Sequence, residues 1–453
     1  MSNDSYKSES ICAISSPPGI GGVSLIRISG PESFSIVEKI FSKSLKDNSG
    51  YRVLYGKILE KKQIIDDVIV TVFKNPHSFT GENTVEINCH GSTFIQQKII
   101  ELLINNGARL ALPGEFSKRA FLNGKLDLSQ TEAIADLINS KSSAAHEIAI
   151  KQLKGGISSE LKILRNKLIE FASLIELELD FSEEDVEFAD RTHLNQLIQD
   201  LITHIDQLKK SFQYGNAIKN GVSTVIAGRP NAGKSTLLNN ILNENRAIVS
   251  SIAGTTRDTI EEIITINGID FRLVDTAGIR NTEDEIEKIG VAKTLEKINQ
   301  SSLVIYIYDS FSTTQKEVVE DLRKYVENKV PCLVIANKID LVKSSKDIPK
   351  DHLTTSLKTT PKTLEIKENI FELFERNKVH NESVIISNMR HFEALELAFN
   401  ELIKVEKGLS EKIPGDLIAM DIRQVLYYIG TITGDISSDE LLGNIFANFC
   451  IGK

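Results

Sequence analysis

The sequence predicts a multidomain chain that is α+β at its N-terminus and α/β further on, with helical stretches on both sides of the α/β part. Three observations predict it. Residues 11 to about 123 mix short strand-like runs with clusters of Pro, Gly and Asn. Residues 129 to about 212 repeat apolar side chains at steps of three and four. From Val222 onward, continuous apolar runs alternate with helical patterns, as in a mostly parallel sheet covered on both faces. A chain of 453 residues with 41% hydrophobic content is long enough for about two to four domains with cores of their own.

In the N-terminal stretch, "GGVSLIRIS", "DDVIVTVF" and "NTVEINCH" read as strands. Arg27 interrupts the first of them, and a charge inside such a strand must be paired or bind an anion. In the third, Val85, Ile87 and Cys89 share one face, which puts Glu86 on the other with His90. Two readings follow for the acidic group. Glu86 pairs with Arg27 inside the domain, or its carboxylate accepts two bonds from the amino-pyrimidine edge of a pterin. Gly19 to Gly22 does not spell G-x-G-x-x-G, so any flavin would have to come from a partner.

Helix begins with "SQTE", a capping box in which Ser129 and Glu132 satisfy each other's backbone donors. Leu161, Leu164, Leu168, Phe171, Ile175 and Leu179 form one buried stripe; Leu194, Ile198, Leu201, Ile205, Leu208 and Phe212 form a second. Between them "DFSEEDVEF" is an acidic connector or a contact surface. The strands of the α/β stretch are "VSTVIAG", "EEIITI", "FRLVDT", "LVIYIYD" and "CLVIAN", with "NG" at 267–268 marking a hairpin. After about residue 376 helix returns in "MRHFEALELAFNELIKVEKGL" and "GDLIAMDIRQVLYYIGTI". The economical organisation is an N-terminal domain over 1–123, one helical domain over 124–216 and 377–453, and an α/β domain over 217–376 inserted into it.

Charge and composition set limits on partners. A net charge of -9 argues against a broad basic face for nucleic acid, leaving only a local patch. Cys12, Cys89, Cys332 and Cys450 lie far apart, with no C-x-x-C pair or zinc-like spacing, which predicts a reducing, cytoplasmic home. No apolar run approaches the roughly 20 residues of a membrane span, so no membrane is expected. The start, "MSNDSYKSES", lacks the pattern of an export signal.

The chemistry-bearing motif is "GRPNAGKS", Gly228 to Ser235, which fits G-x-x-x-x-G-K-[ST] between a strand and a helix. Backbone N–H groups from Asn231 to Thr236 (Asn231, Ala232, Gly233, Lys234, Ser235, Thr236) face phosphates, Lys234 reaches the β and γ oxygens, and Ser235 offers its hydroxyl to Mg²⁺. The base is set by "NKID": beside Asn337, Lys338 and Ile339, Asp340 can accept two hydrogen bonds from guanine that adenine cannot donate. Ser356, Leu357 and Lys358 of "SLK" are a further base contact. Switch I is expected over Ser250, Ser251, Ile252, Ala253, Gly254, Thr255 and Thr256, with Thr256 sensing γ-phosphate through Mg²⁺. Asp275, Thr276, Ala277 and Gly278 of "DTAG" supply a carboxylate toward Mg²⁺ and a γ-phosphate contact. The next residue, Ile279, stands where Ras-like switches carry the glutamine that orients water. "RNTEDEIEKIG" offers Glu283, Asp284, Glu285 and Glu287 instead, and spacing alone leaves open which of them acts or whether all are a solvated acidic face.

Together with "PPGIGGVSLIRISG", "PGEFSKRAFLNGKLDL" and the final "FCIGK", these motifs make the chain resemble the bacterial tRNA-modification GTPases called MnmE or TrmE over essentially its whole length. The resemblance implies an N-terminal folate-binding-like domain, a helical domain and an inserted P-loop G domain. It implies a homodimer working with tRNA and the flavoprotein MnmG to place an aminomethyl-type or carboxymethylaminomethyl-type group on C5 of the wobble uridine. A reduced one-carbon tetrahydrofolate would be held at Arg27, Glu86, Lys125 and Lys453. K⁺ would sit at Asn231 and the backbone of Ser250, Ile252 and Thr255, and Glu287 would be the catalytic carboxylate, acting through bridging water. Cys450 is either a nucleophile or a small buried hydrophobe. The alternative is a regulatory GTPase switch of the ribosome-assembly type, in which "SLIRISG" and "FCIGK" would have no place.

Overall fold

The computed structural model describes residues 9–45, 51–180, 191–245, 261–275, 297–298, 300–326, 330–342, 348–376, 384–411, 413–447, 449 and 452. They gather into two compact units. One comprises Met1–Ile138, Gln152–Arg165 and Leu426–Lys453; the other comprises Asn139–Lys151 and Asn166–Val425.

In the first unit a six-stranded sheet is formed by β1 (Ile11–Ile14), β2 (Gly21–Ser29), β3 (Arg52–Glu60), β4 (Gln63–Phe73), β5 (Thr84–Gly91) and β6 (Arg109–Leu110). Its order is β3-β4-β5-β2-β1-β6, antiparallel except for the parallel β1–β6 pair. Alternation decides the faces. Ile26 and Ile28 of β2 and Val85, Ile87 and Cys89 of β5 enter one core with side chains of α1 (Ser33–Glu38) and α2 (Thr93–Asn105). The opposite face carries Arg27 directly across from Glu86 in the β2–β5 register. There a smaller core joins Ile11 and Ala13 to Phe116 of α3 (Glu115–Leu122).

The helix α4 (Leu128–Asn139) corrects one detail of the sequence reading. Its capping box is Asp127 with Gln130, not Ser129 with Glu132. Asp127 Oδ1 accepts from the Gln130 N–H at 2.8 Å, and Gln130 Oε1 accepts from the Asp127 N–H at 3.0 Å. The same D-x-x-Q pattern was present two residues upstream, and an aspartate caps at least as well as a serine. Ser129 turns back to donate to Asp127 Oδ1 and meets Ser158.

Helices α5 (Ser143–Leu153), α6 (Gly156–Asp180) and α7 (Arg191–Asn220) follow. Leu161, Leu164, Leu168, Phe171 and Ile175 are buried along α6, as are Ile198, Leu201, Ile205, Leu208 and Phe212 along α7, so both expected stripes are core. The side chains of Leu179 and Leu194, and residues 181–190 of the acidic connector, lie outside the described residues.

The second sheet has the order β12-β11-β10-β7-β9-β8. Its strands are β7 (Val222–Ala227), β8 (Glu261–Ile266), β9 (Ile269–Asp275), β10 (Leu303–Asp309), β11 (Cys332–Asn337) and β12 (Leu353–Thr354). Every pair is parallel except the β8–β9 hairpin, whose turn residues Asn267 and Gly268 both have positive φ, as a tight "NG" turn requires. Helices α8 (Lys234–Asn245), α9 (Gln315–Val326) and α10 (Thr363–Glu375) belong to this α/β region. The chain then continues in α11 (Met389–Ser410), α12 (Gly415–Thr433) and α13 (Asp439–Ala447).

Long helix and sheet meet within this unit. Tyr214 of α7 stacks on Phe374 of α10 at 5.1 Å and donates its hydroxyl to Glu375; Phe374 in turn meets Phe271 of β9 edge-on. The Ala144 N–H at the start of α5 donates to Gly268 O at 3.0 Å. On its other side α7 packs on α11 through Phe212 stacked on Phe392 at 4.5 Å and Lys209 over the Phe399 ring at 4.1 Å. No helix among the described residues is long and apolar enough to cross a membrane.

Candidate functional site

The loop after β7 is shaped by what it passes. At Gly228, with φ +148, a Cβ would lie 2.1 Å from the Ile307 carbonyl of β10. At Gly233, with φ +112, it would lie 2.3 Å from Asn337 Nδ2. Only glycine fits either place. Asn231 between them takes the left-handed conformation, φ +59, and is exposed. Lys234 opens α8 and curls back over the loop, its ammonium donating to the carbonyls of Gly228 at 2.7 Å and Arg229 at 2.9 Å. Ser235 is exposed beside it on the first turn of the helix. The N-terminus of a helix with a fixed ammonium beside it is a cradle for phosphate.

Asn337 ties the remaining segments to this cradle. Its Nδ2 donates to Ala232 O at 2.8 Å, and its Oδ1 accepts from the N–H groups of Lys338 at 2.8 Å and Leu357 at 3.1 Å. Asn240 of α8 holds the Leu357 carbonyl at 2.9 Å. One amide therefore locks the P-loop, the "NKID" turn and the "SLK" loop into a single constellation. Lys338, at φ +64, reaches Asp309 at the end of β10 at 2.7 Å. Burial alone would raise the Asp309 carboxyl, but bonds from Lys338, the Phe311 N–H and Ser312 outweigh it and hold the group below its ordinary value. Ile339 and Asp340 follow in a short 3₁₀ turn, where Asp340 is exposed and open to a base edge; Lys358 is exposed and Ser356 buried.

Asp275 ends β9 in register with Ile226 of β7. Ser250, Ser251, Ile252, Ala253, Gly254, Thr255 and Thr256 lie outside the described residues, as do Thr276, Ala277, Gly278, Ile279 and the four candidate acids including Glu287.

A second polar site lies on the N-terminal sheet. Arg27 donates through Nε at 2.9 Å and Nη2 at 2.7 Å to Oε1 of Glu86, so the ion pair read from the sequence is formed. Both bonds use one carboxylate oxygen. The guanidinium lies over the rings of Phe79, 5.5 Å away, and Phe116, 5.6 Å away, and its Nη1 donates to the Gly452 carbonyl at 3.2 Å. Ser15 holds the same carbonyl at 3.0 Å. Gly452 thus reaches Arg27, although Cys450 and Lys453 themselves lie outside the described residues. Lys125 is exposed and donates to Pro76 O at 3.1 Å, on the loop that also carries Phe79. Phe79, Phe116 and Gly452 were not anticipated from the sequence; an aromatic inside "PGEFSKRA" was the available signal for Phe116. His90 pairs with Asp66 at 2.7 Å and takes no part. Burial pushes the Cys12 and Cys332 thiols up to about 12 and that of Cys89 to about 11, which leaves them unreactive. Among the described residues no cluster of His, Cys, Asp and Glu could hold a metal ion.

Comparison with known proteins decides the family. A family model described as the MnmE helical domain matches residues 128–450, and one described as the GTP-binding protein TrmE N-terminus matches residues 10–125. A tRNA modification GTPase MnmE of Cytophaga hutchinsonii is 51% identical over 98% of both chains. The chain belongs to the MnmE family. Other relatives with that name, from Flavobacterium johnsoniae and Bacteroides thetaiotaomicron, are 48% and 45% identical, each over 98% of this chain and 99% of its own. Membership in the MnmE family makes the protein a GTP-binding, GTP-hydrolysing enzyme of tRNA modification, as its motifs led us to expect.

Proposed function

We propose that this GTPase modifies C5 of the wobble uridine of tRNA with an aminomethyl-type or carboxymethylaminomethyl-type group, acting with the flavoprotein MnmG and a reduced one-carbon tetrahydrofolate. The observation that carries this reading is the approach of the C-terminal Gly452 to Arg27 beside Glu86. A bare nucleotide switch has no use for a guanidinium framed by two aromatic rings and the Gly452 carbonyl. A reduced folate would be held at Arg27, Glu86, Lys125 and Lys453, with its pterin edge at the second carboxylate oxygen of Glu86, which Arg27 does not use.

On the nucleotide side, Lys234 and the backbone from Asn231 to Thr236 bind the phosphates, Asp340 reads guanine, and Ser235 with Thr256 would hold Mg²⁺. K⁺ would sit at Asn231, exposed and free of the helix, with the backbone of Ser250, Ile252 and Thr255. Such a cation offsets charge developing on the transferred phosphoryl, the task an arginine finger performs elsewhere. With Ile279 unable to orient water, Glu287 takes that role through bridging water, and hydrolysis is coupled to pairing of two G domains. We assign the domains as 1–123, 124–216 with 377–453, and 217–376, and the protein as a cytoplasmic homodimer joined by its N-terminal domains. The exposed Val53, Tyr55 and Ile69 on the outer face of the β3–β4 ribbon, with Tyr55 and Ile69 directly opposed, support a second copy as the occupant of that face.

Mass spectrometry of wobble uridine in tRNA from cells lacking the protein tests the reading. Loss of the C5 group is expected, restored by the parent gene and not by Arg27→Ala. Unchanged uridine 34 in the deleted cells would return the protein to the class of regulatory switches.

A further inference from the structure

We propose that Arg229 is a positioning residue for the P-loop lysine, fixing Lys234 from outside the phosphate site; this rests on the reading of Lys234 as the phosphate-contacting group. Arg229 occupies a variable place in the motif, yet its two ends do different work. Its backbone carbonyl accepts from Lys234 Nζ at 2.9 Å and from the Ala232 N–H at 3.3 Å, so the orientation of this peptide, together with the Gly228 carbonyl at 2.7 Å, sets where the ammonium lies. Its guanidinium points the other way, onto α9. Nη1 donates to Glu317 Oε1 at 2.6 Å, and Nε and Nη2 grip Asp321 at 2.8 and 3.3 Å.

Neither carboxylate is free to follow the loop if it moves. Asp321 is buried and also accepts from the hydroxyl of Tyr306, a fully buried residue of β10, at 2.8 Å. Glu317 accepts from both the N–H and the hydroxyl of Thr314 at 2.8 Å, a capping box that closes the start of α9. The line of bonds therefore runs from the core of the sheet through Asp321 to Arg229 and on to Lys234. A planar fork can hold two carboxylates at once, which a lysine's point charge cannot reproduce. Arg229 and Glu317 are each 38% exposed, so their ion pair contributes little to folding and its value lies in geometry.

The test is steady-state hydrolysis by the full chain, with GTP and with inosine triphosphate, which lacks the 2-amino group read at the base site. Arg229→Ala should lower kcat/KM for GTP about tenfold, the size expected when a contact group is misaligned rather than removed. The GTP-to-ITP ratio should stay within about twofold of the parent, and Arg229→Lys should recover only part of the loss. Asp321→Asn, which keeps volume, serves the same purpose should Arg229→Ala not fold. A kcat/KM within about twofold of the parent overturns the proposal, as does a collapse of the GTP-to-ITP ratio, the mark of a loosened domain. Lys234→Ala separates the two readings. If that variant hydrolyses GTP normally, the phosphate assignment itself fails; if it is crippled while Arg229→Ala is not, only the positioning role fails.

Discussion

The phosphate loop and the Arg27 pair both fix a cation in place, by different means. In the loop the cation is Lys234, and it is held by backbone carbonyls only five and six residues away. On the N-terminal sheet the cation is Arg27, and its partners lie 59 and 425 residues distant in sequence. Backbone carbonyls carry no net charge, so these two bonds orient the ammonium without neutralising it. An ion pair with Glu86 neutralises the guanidinium, so a ligand at Arg27 must compete with or complete an existing pair. The cation of the first is placed by neighbours along the chain; that of the second is placed by the fold.

Hydrolysis should respond most. Glu287→Ala is expected to slow turnover at saturating GTP in K⁺ by about 10² or more while GTP binding persists, as on losing a group that orients water. Stopped-flow phosphate release checks it, and full turnover would remove Glu287 from the mechanism. If the cradle's charge is completed by a monovalent ion at Asn231, hydrolysis should run about tenfold or more faster in K⁺ than in Na⁺. Asn231→Lys should erase that difference; a rate ratio unchanged in the variant would break this half of the contrast.

The Arg27 site should respond more gently, because its ion pair already exists without ligand. Loss of one charged hydrogen-bonding group costs about 1.5 kcal/mol at the lower end of its range, so Arg27→Ala should weaken reduced folate binding by about tenfold, read by calorimetry on the full chain. Unchanged affinity would show that the pair is purely structural. The smallest effect concerns pH. Glu317 is held down to about 2, first by the Thr314 N–H, then by the Thr314 hydroxyl and Arg229. A carboxylate depressed in this way contributes above its ordinary value near 4.3 and loses that contribution progressively as pH falls from there through about 2. Nucleotide affinity should therefore show no step attributable to this clamp between about pH 8 and about pH 5. A titration in that window that disappears in Glu317→Gln would contradict the geometry.

What the sequence determined by itself was whatever depends on neighbours along the chain. "GRPNAGKS" specified a strand-to-helix phosphate loop because its glycines, its lysine and the helix start are contiguous, and the alternation in "NTVEINCH" put Val85, Ile87 and Cys89 on one face. The apolar steps of α6 and α7 were legible for the same reason: a helix imposes its own period. The start of α4 was misread by two residues, since two capping patterns overlapped and local preference alone could not rank them. Only the tertiary structure decided that one amide, Asn337, would bind three loops, that Phe79 and Phe116 would frame Arg27, and that Gly452 would return to Ser15 and Arg27. It also decided that Arg229 would turn outward to Glu317 and Asp321. Those contacts join residues tens to hundreds of positions apart, and such a pairing is fixed by which surfaces the packed strands and helices bring together, a geometry that no period or spacing along the chain encodes.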